Sequence, residues 1–326
     1  MLNRPRRNRA STAIRRAFRE TVLGPQHLVL PLFLQEGQRK ETPIVSLPGS
    51  SRLSVDRAVE LAREAERLGL MGVDLFPALD ESLKDPRGKE SLNPKGLMQR
   101  AIAEIKQACP KLTVFTDVAL DPYSSDGHDG LVIDGRIDND QTLPLLAAMA
   151  VAHAKAGADI VAPSDMMDGR VEAIRRALDE AGFNQVGILS YCVKYASAFY
   201  GPFREALDSA PRSGDKKTYQ MDPCNVREAA REVRLDEAEG ADILMVKPAT
   251  IYTDVIRHVR ELSTLPIAAY HVSGEFAMLK AAAQNGWLDY ERCLLETLIS
   301  LRRAGSDIIF TYGALDAARY LARGAE

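Results

Sequence analysis

The stretch ILMVKPA, residues 243–249, runs through four apolar residues without a polar alternation and then stops at Lys247 and Pro248. A short unbroken apolar run closed by proline predicts a β-strand covered on both faces, the habit of a parallel sheet. Seven other stretches read the same way: HLVLPLF (27–33), GVDLFPA (72–78), LTVFTDVAL (112–120), DIVAPS (159–164), VGILSYCVKY (186–195), PIAAYHVS (266–273) and SDIIFTYGA (306–314). The segments between them have helical periodicity. One is SVDRAVELAREAERLG (54–69), with Ser54 placed as N-cap and Gly69 as stop, and VEAIRRALDEAG (171–182) and VREAAREVRLDEAEG (226–240) follow the same pattern. Eight such units over residues 27–326 predict one α/β domain, a closed (β/α)8 TIM barrel. An open doubly wound sheet fits less well, because no GxGxxG follows the first strand.

With 326 residues, 46% hydrophobic and 27% charged, the chain has the composition of a soluble globular protein. A net charge of −3 offers no footprint for nucleic acid or an anionic membrane. No apolar run approaches the roughly 18 residues that span a bilayer. Cys109, Cys192, Cys224 and Cys293 are scattered without CxxC spacing, and the charged N-terminus lacks the apolar core of a secretory signal. Reduced thiols and a cytoplasmic location are therefore expected. Residues 1–26 carry seven arginines (4, 6, 7, 9, 15, 16, 19) and no acid before Glu20. We read them as an arm reaching over a neighbouring subunit; a solvated tail, a nucleic-acid patch and a transit peptide are the alternatives.

Polar residues stand where the strands end: Asp117 and Asp121, Ser164 and Asp165, Lys194, Lys247, Ser273 and Tyr312. In a barrel these ends share the face that bears catalytic groups. Two of them are lysines on neighbouring strands, Lys194 and Lys247. Apolar surroundings and a second cation both disfavour an ammonium, and a neutral amine forms Schiff bases with ketones. The plainer alternative pairs each lysine with a carboxylate such as Asp117 or Asp165.

The stretches KYASAFYGPFR (194–204), APSDMMDGR (162–170), YQMDP (219–223), MVKPA around Lys247 and VSGEFAM (272–278) resemble the porphobilinogen synthase (5-aminolevulinate dehydratase) family along nearly the whole chain. The resemblance implies a barrel with an N-terminal arm, assembled as a homo-octamer. Its reaction condenses two 5-aminolevulinates into porphobilinogen with loss of two waters, in tetrapyrrole synthesis. It further implies Lys247 as the Schiff-base lysine for one substrate and Lys194 for the other, with Asp117 beside them. Arg204, Lys216 and Gln220 are then expected to hold one substrate carboxylate, with Lys216 on a mobile lid. Ser273 and Tyr312 are expected to donate to the other carboxylate, and Tyr191 and Phe203 to wall the pocket.

Zinc-dependent members of that family carry three cysteines where this chain has Ala119, Asp121 and Asp129, within DVALDPYSSDGHDG (117–130). Thiolates select zinc, carboxylates suit harder cations, and alanine cannot ligate. No zinc is expected, and His128 alone does not rescue such a site. The resemblance implies a regulatory magnesium at Glu232 and no organic cofactor. A lysine-based aldolase-type barrel and an inactive barrel whose arm holds RNA are the competing readings. The second lysine, the paired anion clamps and the intact polar strand ends speak against them.

Overall fold

The computed structural model describes residues 2–209 and 211–324; the outermost ends of the expected arm and barrel, Met1 and 325–326, lie outside the described residues. Eight parallel strands close into a barrel: β1 Leu28–Leu34, β2 Gly72–Pro77, β3 Thr113–Val118, β4 Ile160–Pro163, β5 Gly187–Lys194, β6 Ile243–Lys247, β7 Ile267–His271 and β8 Ile308–Thr311. The last strand returns to the first through Leu28↔Ile309 and Val29↔Phe310, so the main sheet has no free edge there. Seven of the eight apolar stretches contain one of these strands whole, and β1 runs one residue past the stretch 27–33, to Leu34.

Burial explains the missing alternation. Along β1, Leu28, Leu30, Leu32 and Leu34 pack in the layer shared with the helices, while Val29 and Phe33 pack in a second cluster inside the barrel. Both faces are dry, so both are apolar. The interior cluster is rich in rings, including Phe76, Phe115, Tyr191, Tyr270, Phe310 and Tyr312, which fill the barrel.

The helix Val55–Leu68 ends as expected at Gly69, whose φ of 79° suits a residue without Cβ. Its start differs from expectation. Ser54 occupies the N-cap position, but its hydroxyl bonds the backbone N–H and carbonyl of Lys40 and leaves the helix uncapped. The two segments 171–182 and 226–240 form the helices Arg170–Glu180 and Arg227–Ala238. Two short strands, Glu41–Pro43 and Ser51–Leu53, extend the sheet beside β1. The described part of the arm holds a helix, Thr12–Ala17, with no buried residue. No helix among the described residues is long and apolar enough to cross a membrane.

Candidate active site

Strands β5 and β6 pair in register at their ends, Val193 opposite Val246 and Lys194 opposite Lys247. The two lysines are thus neighbours at the C-terminal mouth of the barrel. The segment after β5 is tied back to the end of β6, because Tyr195 N–H and the Tyr200 hydroxyl both donate to the Lys247 carbonyl, at 3.0 and 3.2 Å. Glu275 draws in the next loop, accepting from the N–H groups of Val272 and Thr250. Gly274 allows the close approach between them: a Cβ there would meet the Phe199 carbonyl oxygen at 2.5 Å.

Lys247 is 4% exposed, and its Nζ lies 4.4 Å from the ring centroid of Tyr270, 4.9 Å from Phe203, 5.1 Å from Tyr191 and 5.4 Å from Tyr200. Burial disfavours its ammonium and Lys194 adds repulsion; Asp117, Asp74 and Asp121 oppose them, and the balance brings the amine from 10.5 down to about 7. Lys194 has different company. It donates to Asp129 at 3.1 Å and to the Ser164 carbonyl. Asp129 also accepts from Lys216, which reaches Asp121 at 3.2 Å. Burial would raise the Asp129 carboxyl, but Lys194 and Lys216 outweigh it and hold it at about 2. Asp117 is balanced the other way: burial and the neighbouring Asp121 outweigh Ser164, Lys194 and Lys247 and push it up to about 7, and its Oδ1 is buried without a hydrogen bond.

Asp117, Asp121, Ser164, Lys194, Phe203, Arg204, Lys216, Gln220 and Lys247 line one cavity together with Tyr200 and Ser209. Its volume of about 20 Å³ is room for one water. Lys216, expected on a lid, is buried while its neighbours Asp215 and Lys217 are exposed. His128 ties this segment down: its ring nitrogens meet the Tyr219 hydroxyl at 3.1 Å and the Ser213 carbonyl at 2.9 Å.

Five residues expected at the substrate site do not line this cavity: Asp129, which holds Lys194 and Lys216 behind it, and Tyr191, Ser273, Tyr312 and Asp165. Tyr191 lies at its wall through the ring contact with Lys247. Ser273 accepts the Phe203 N–H at 3.0 Å, and Tyr312 meets the Tyr270 hydroxyl at 3.3 Å. Asp165 is engaged elsewhere: its Oδ1 accepts the Met167 N–H at 2.7 Å and its Oδ2 lies 3.8 Å from Arg170 Nε. Sequence reasoning missed Tyr270 and Tyr200, which complete the ring cage, although the parity of β7 already pointed Tyr270 inward. It also missed Asp74, a carboxylate in the middle of an apolar strand and as conspicuous there as Lys247.

Glu232 lies on the outer helix Arg227–Ala238 and lines a separate cavity of about 1080 Å³ with Asp168, Glu228, Asn225 and the outer side of the lid, Lys217–Asp222. Burial raises its carboxyl to about 7, helped by Asp236, Asp168 and Glu228 and opposed by Arg170. Among the described residues no group of three or more His, Cys, Asp or Glu side chains is placed to hold a metal ion.

The family model for delta-aminolevulinic acid dehydratase matches residues 2–320. The delta-aminolevulinic acid dehydratase of Glycine max is 58% identical over 98% of this chain and 77% of its own length, and that of Chlamydomonas reinhardtii is 52% identical over 98% and 85%. Both are named chloroplastic, as are those of Selaginella martensii and Physcomitrium patens at 57%. These names overturn the cytoplasmic location expected from the cysteines and the N-terminus; reduced thiols do not separate one reducing compartment from another. The crystal structure of delta-aminolevulinic acid dehydratase (porphobilinogen synthase) from Toxoplasma gondii ME49, in complex with the reaction product porphobilinogen, superimposes with a TM-score of 0.97 at 51% identity, covering 99% of this chain and 92% of that one. The chain belongs to the delta-aminolevulinic acid dehydratase (porphobilinogen synthase) family.

Proposed function

We propose that Lys247 is the amine on which this chain carries out the reaction of its family, the condensation of two 5-aminolevulinates to porphobilinogen in tetrapyrrole synthesis. The observation that carries the assignment is a lysine sealed among four aromatic rings, with its amine brought to about 7. A ketone is attacked by the neutral amine, and loss of water leaves the iminium. Lys194, its register partner, forms or assists the second Schiff base. Asp117, near 7 and with a free acceptor on the cavity wall, moves protons between the two bound substrates. Arg204, Lys216 and Gln220 clamp one substrate carboxylate. Ser273, whose own O–H is still free to donate beyond the Phe203 contact, serves the other with Tyr312. A cavity of about 20 Å³ admits no substrate, so the segment around Lys216 opens for binding and closes to exclude water.

The family is one of metal-dependent enzymes. A regulatory magnesium held by Glu232 and water would supply positive charge to the carboxylate-rich recess behind the lid, away from the lysines. Support for a site without zinc comes from Asp121 and Asp129, which hold lysines. Residues 1–26 form an oligomerisation arm, and residues 27–326 the catalytic barrel, in a homo-octamer. Support for the arm's role is its exposure: it offers arginines and the apolar Phe18 and Val22 to solvent.

Borohydride reduction in the presence of 5-aminolevulinate tests the central assignment. The tryptic peptide containing Lys247 should gain the mass of one reduced substrate. Label confined to surface lysines would remove Lys247 from the reaction.

A further inference from the structure

Asp74 sits in the middle of β2, pointing into the barrel beneath the ring cage, and is fully buried. Its Oδ2 accepts the Tyr191 hydroxyl at 3.4 Å, and its Oδ1 has no partner. Tyr191 in turn places its ring 5.1 Å from Lys247 Nζ. Asp74 does not line the cavity, so the roles described so far leave it unused. A buried carboxyl with an unpartnered oxygen is costly, and one beside a reactive amine has a chemical use at hand.

We propose that Asp74 is a positioning residue that yields a proton through the Tyr191 hydroxyl as the iminium forms on Lys247, and then remains as its buried counter-charge. The inference rests on the reading of Lys247 as the Schiff-base lysine. The balance is simple. The neutral amine adds to the ketone, and the C–O bond of the carbinolamine breaks. Its hydroxyl leaves as water after taking one proton. Tyr191 passes that proton on and recovers one from Asp74. A neutral acid, amine and ketone become a carboxylate, an iminium and a water, with no net change of charge inside the barrel.

The surroundings suit this exchange. Burial, with Asp117 adding to it and Lys247 and the Tyr191 hydroxyl opposing, holds the Asp74 carboxyl well above the ordinary carboxylate range, which favours its protonated form. The charged and titratable groups facing it are Asp117 from β3, Lys247 from β6 and Tyr191 from β5, with Tyr270 and Tyr312 close by. Lys247 further faces Lys194 and Asp121. Asp117 shares the substrate cavity, and opening the lid wets it. Asp74 lies off that cavity, away from the water that opening admits.

The test compares wild type, Asp74→Asn and Tyr191→Phe, with 5-aminolevulinate as probe and a reductant that traps the iminium. Label on the Lys247 peptide is measured as the ratio of variant to wild type at each pH, which cancels the reagent's own pH dependence. Wild type draws the proton from inside, so its iminium forms without net proton uptake. Asp74→Asn must take it from solvent, so the ratio should fall as pH rises, by up to about tenfold per unit. Tyr191→Phe, which cuts the relay and leaves the acid in place, should show the same slope. A ratio constant with pH in both variants, with Lys247 labelled, would assign the proton to Asp117 and overturn the proposal. Wild type without label on Lys247 would remove the underlying reading, and this inference with it.

Discussion

Replacing Lys194 by methionine isolates the electrostatic part of what makes Lys247 an amine. In the native site the ammonium of Lys247 is disfavoured, relative to a lysine in water, by about 5 kcal/mol, the difference between 10.5 and about 7. Burial is the larger cause and Lys194 the second. Two unit charges of one sign on register-paired strand ends, at an effective dielectric of about 20, repel by a few kcal/mol, on the order of two pH units. Lys194 already holds Asp129, which cancels part of its field, so about one unit is the realistic displacement. The neutral form predominates above the amine's own pKa, so labelling of Lys247 rises as pH rises through about 7. In Lys194→Met that limb should move up by about one unit. At pH 7 the reactive fraction should then fall from about half to about a tenth. The assay is the initial rate of reductive labelling of the Lys247 peptide across pH, in a variant that still binds the first substrate. An unmoved limb would show that burial alone sets the amine, and a limb moved downward would refute the electrostatic argument outright.

Two further expectations concern other parts of the molecule. Magnesium should stimulate turnover, and Glu232→Ala should abolish the stimulation while retaining the magnesium-free rate; if arm and metal are coupled, deleting residues 1–26 should also give smaller species in sedimentation, and a truncated protein that sediments like the full chain and still responds to magnesium would separate the two. His153, buried on the helix Asn139–Ala156 with its Nδ1 3.1 Å from Thr116 Oγ1, is held by burial at about 3 against an ordinary 6.5. Between those values the unfolded chain takes up a proton that the native state refuses, so stability falls as pH falls, by about 2 kcal/mol at pH 5 from this residue. Urea denaturation of His153→Gln should show that much less loss between pH 7 and 5, and an equal loss would place the acid sensitivity elsewhere.

The barrel was legible because each strand is dry on both sides, which leaves an apolar run that no amphipathic helix produces. The short strands Glu41–Pro43 and Ser51–Leu53 were not, since three residues, partly exposed, leave no period to read. At the site, residue type at the strand ends located Lys194, Lys247 and Asp117, because charge in an apolar run needs a reason. The same rule applied at Asp74, yet mid-strand position concealed it: its partner Tyr191 lies 117 residues away in sequence. Asp165 shows the opposite failure. Its place beside Ser164 suggested a cavity residue, but the turn after β4 delivers its carboxylate to Met167 and Arg170. His128, an insufficient metal ligand by itself, ties down residues 213–219, a contact that depends on where that segment returns in space.

The difference between the two lysines follows from what each can reach. Among the described residues Lys247 has no ion pair and no hydrogen bond at Nζ; its neighbours are rings, and rings stabilise an ammonium far less than a desolvated carboxylate does. One β-strand away, Lys194 shares Asp129 with Lys216, a carboxylate held near 2 by the pair. Where cysteine-bearing relatives of the family would place thiolates, this chain has two carboxylates joined to a lid lysine. On the proposed opening of the segment around Lys216, Asp121 would lose that cation and favour the ammonium on Lys247, and closure would restore it and favour the amine. The amine proposed as nucleophile would then be strongest with substrate enclosed, and would be kept from forming adducts while the site stands open to solvent.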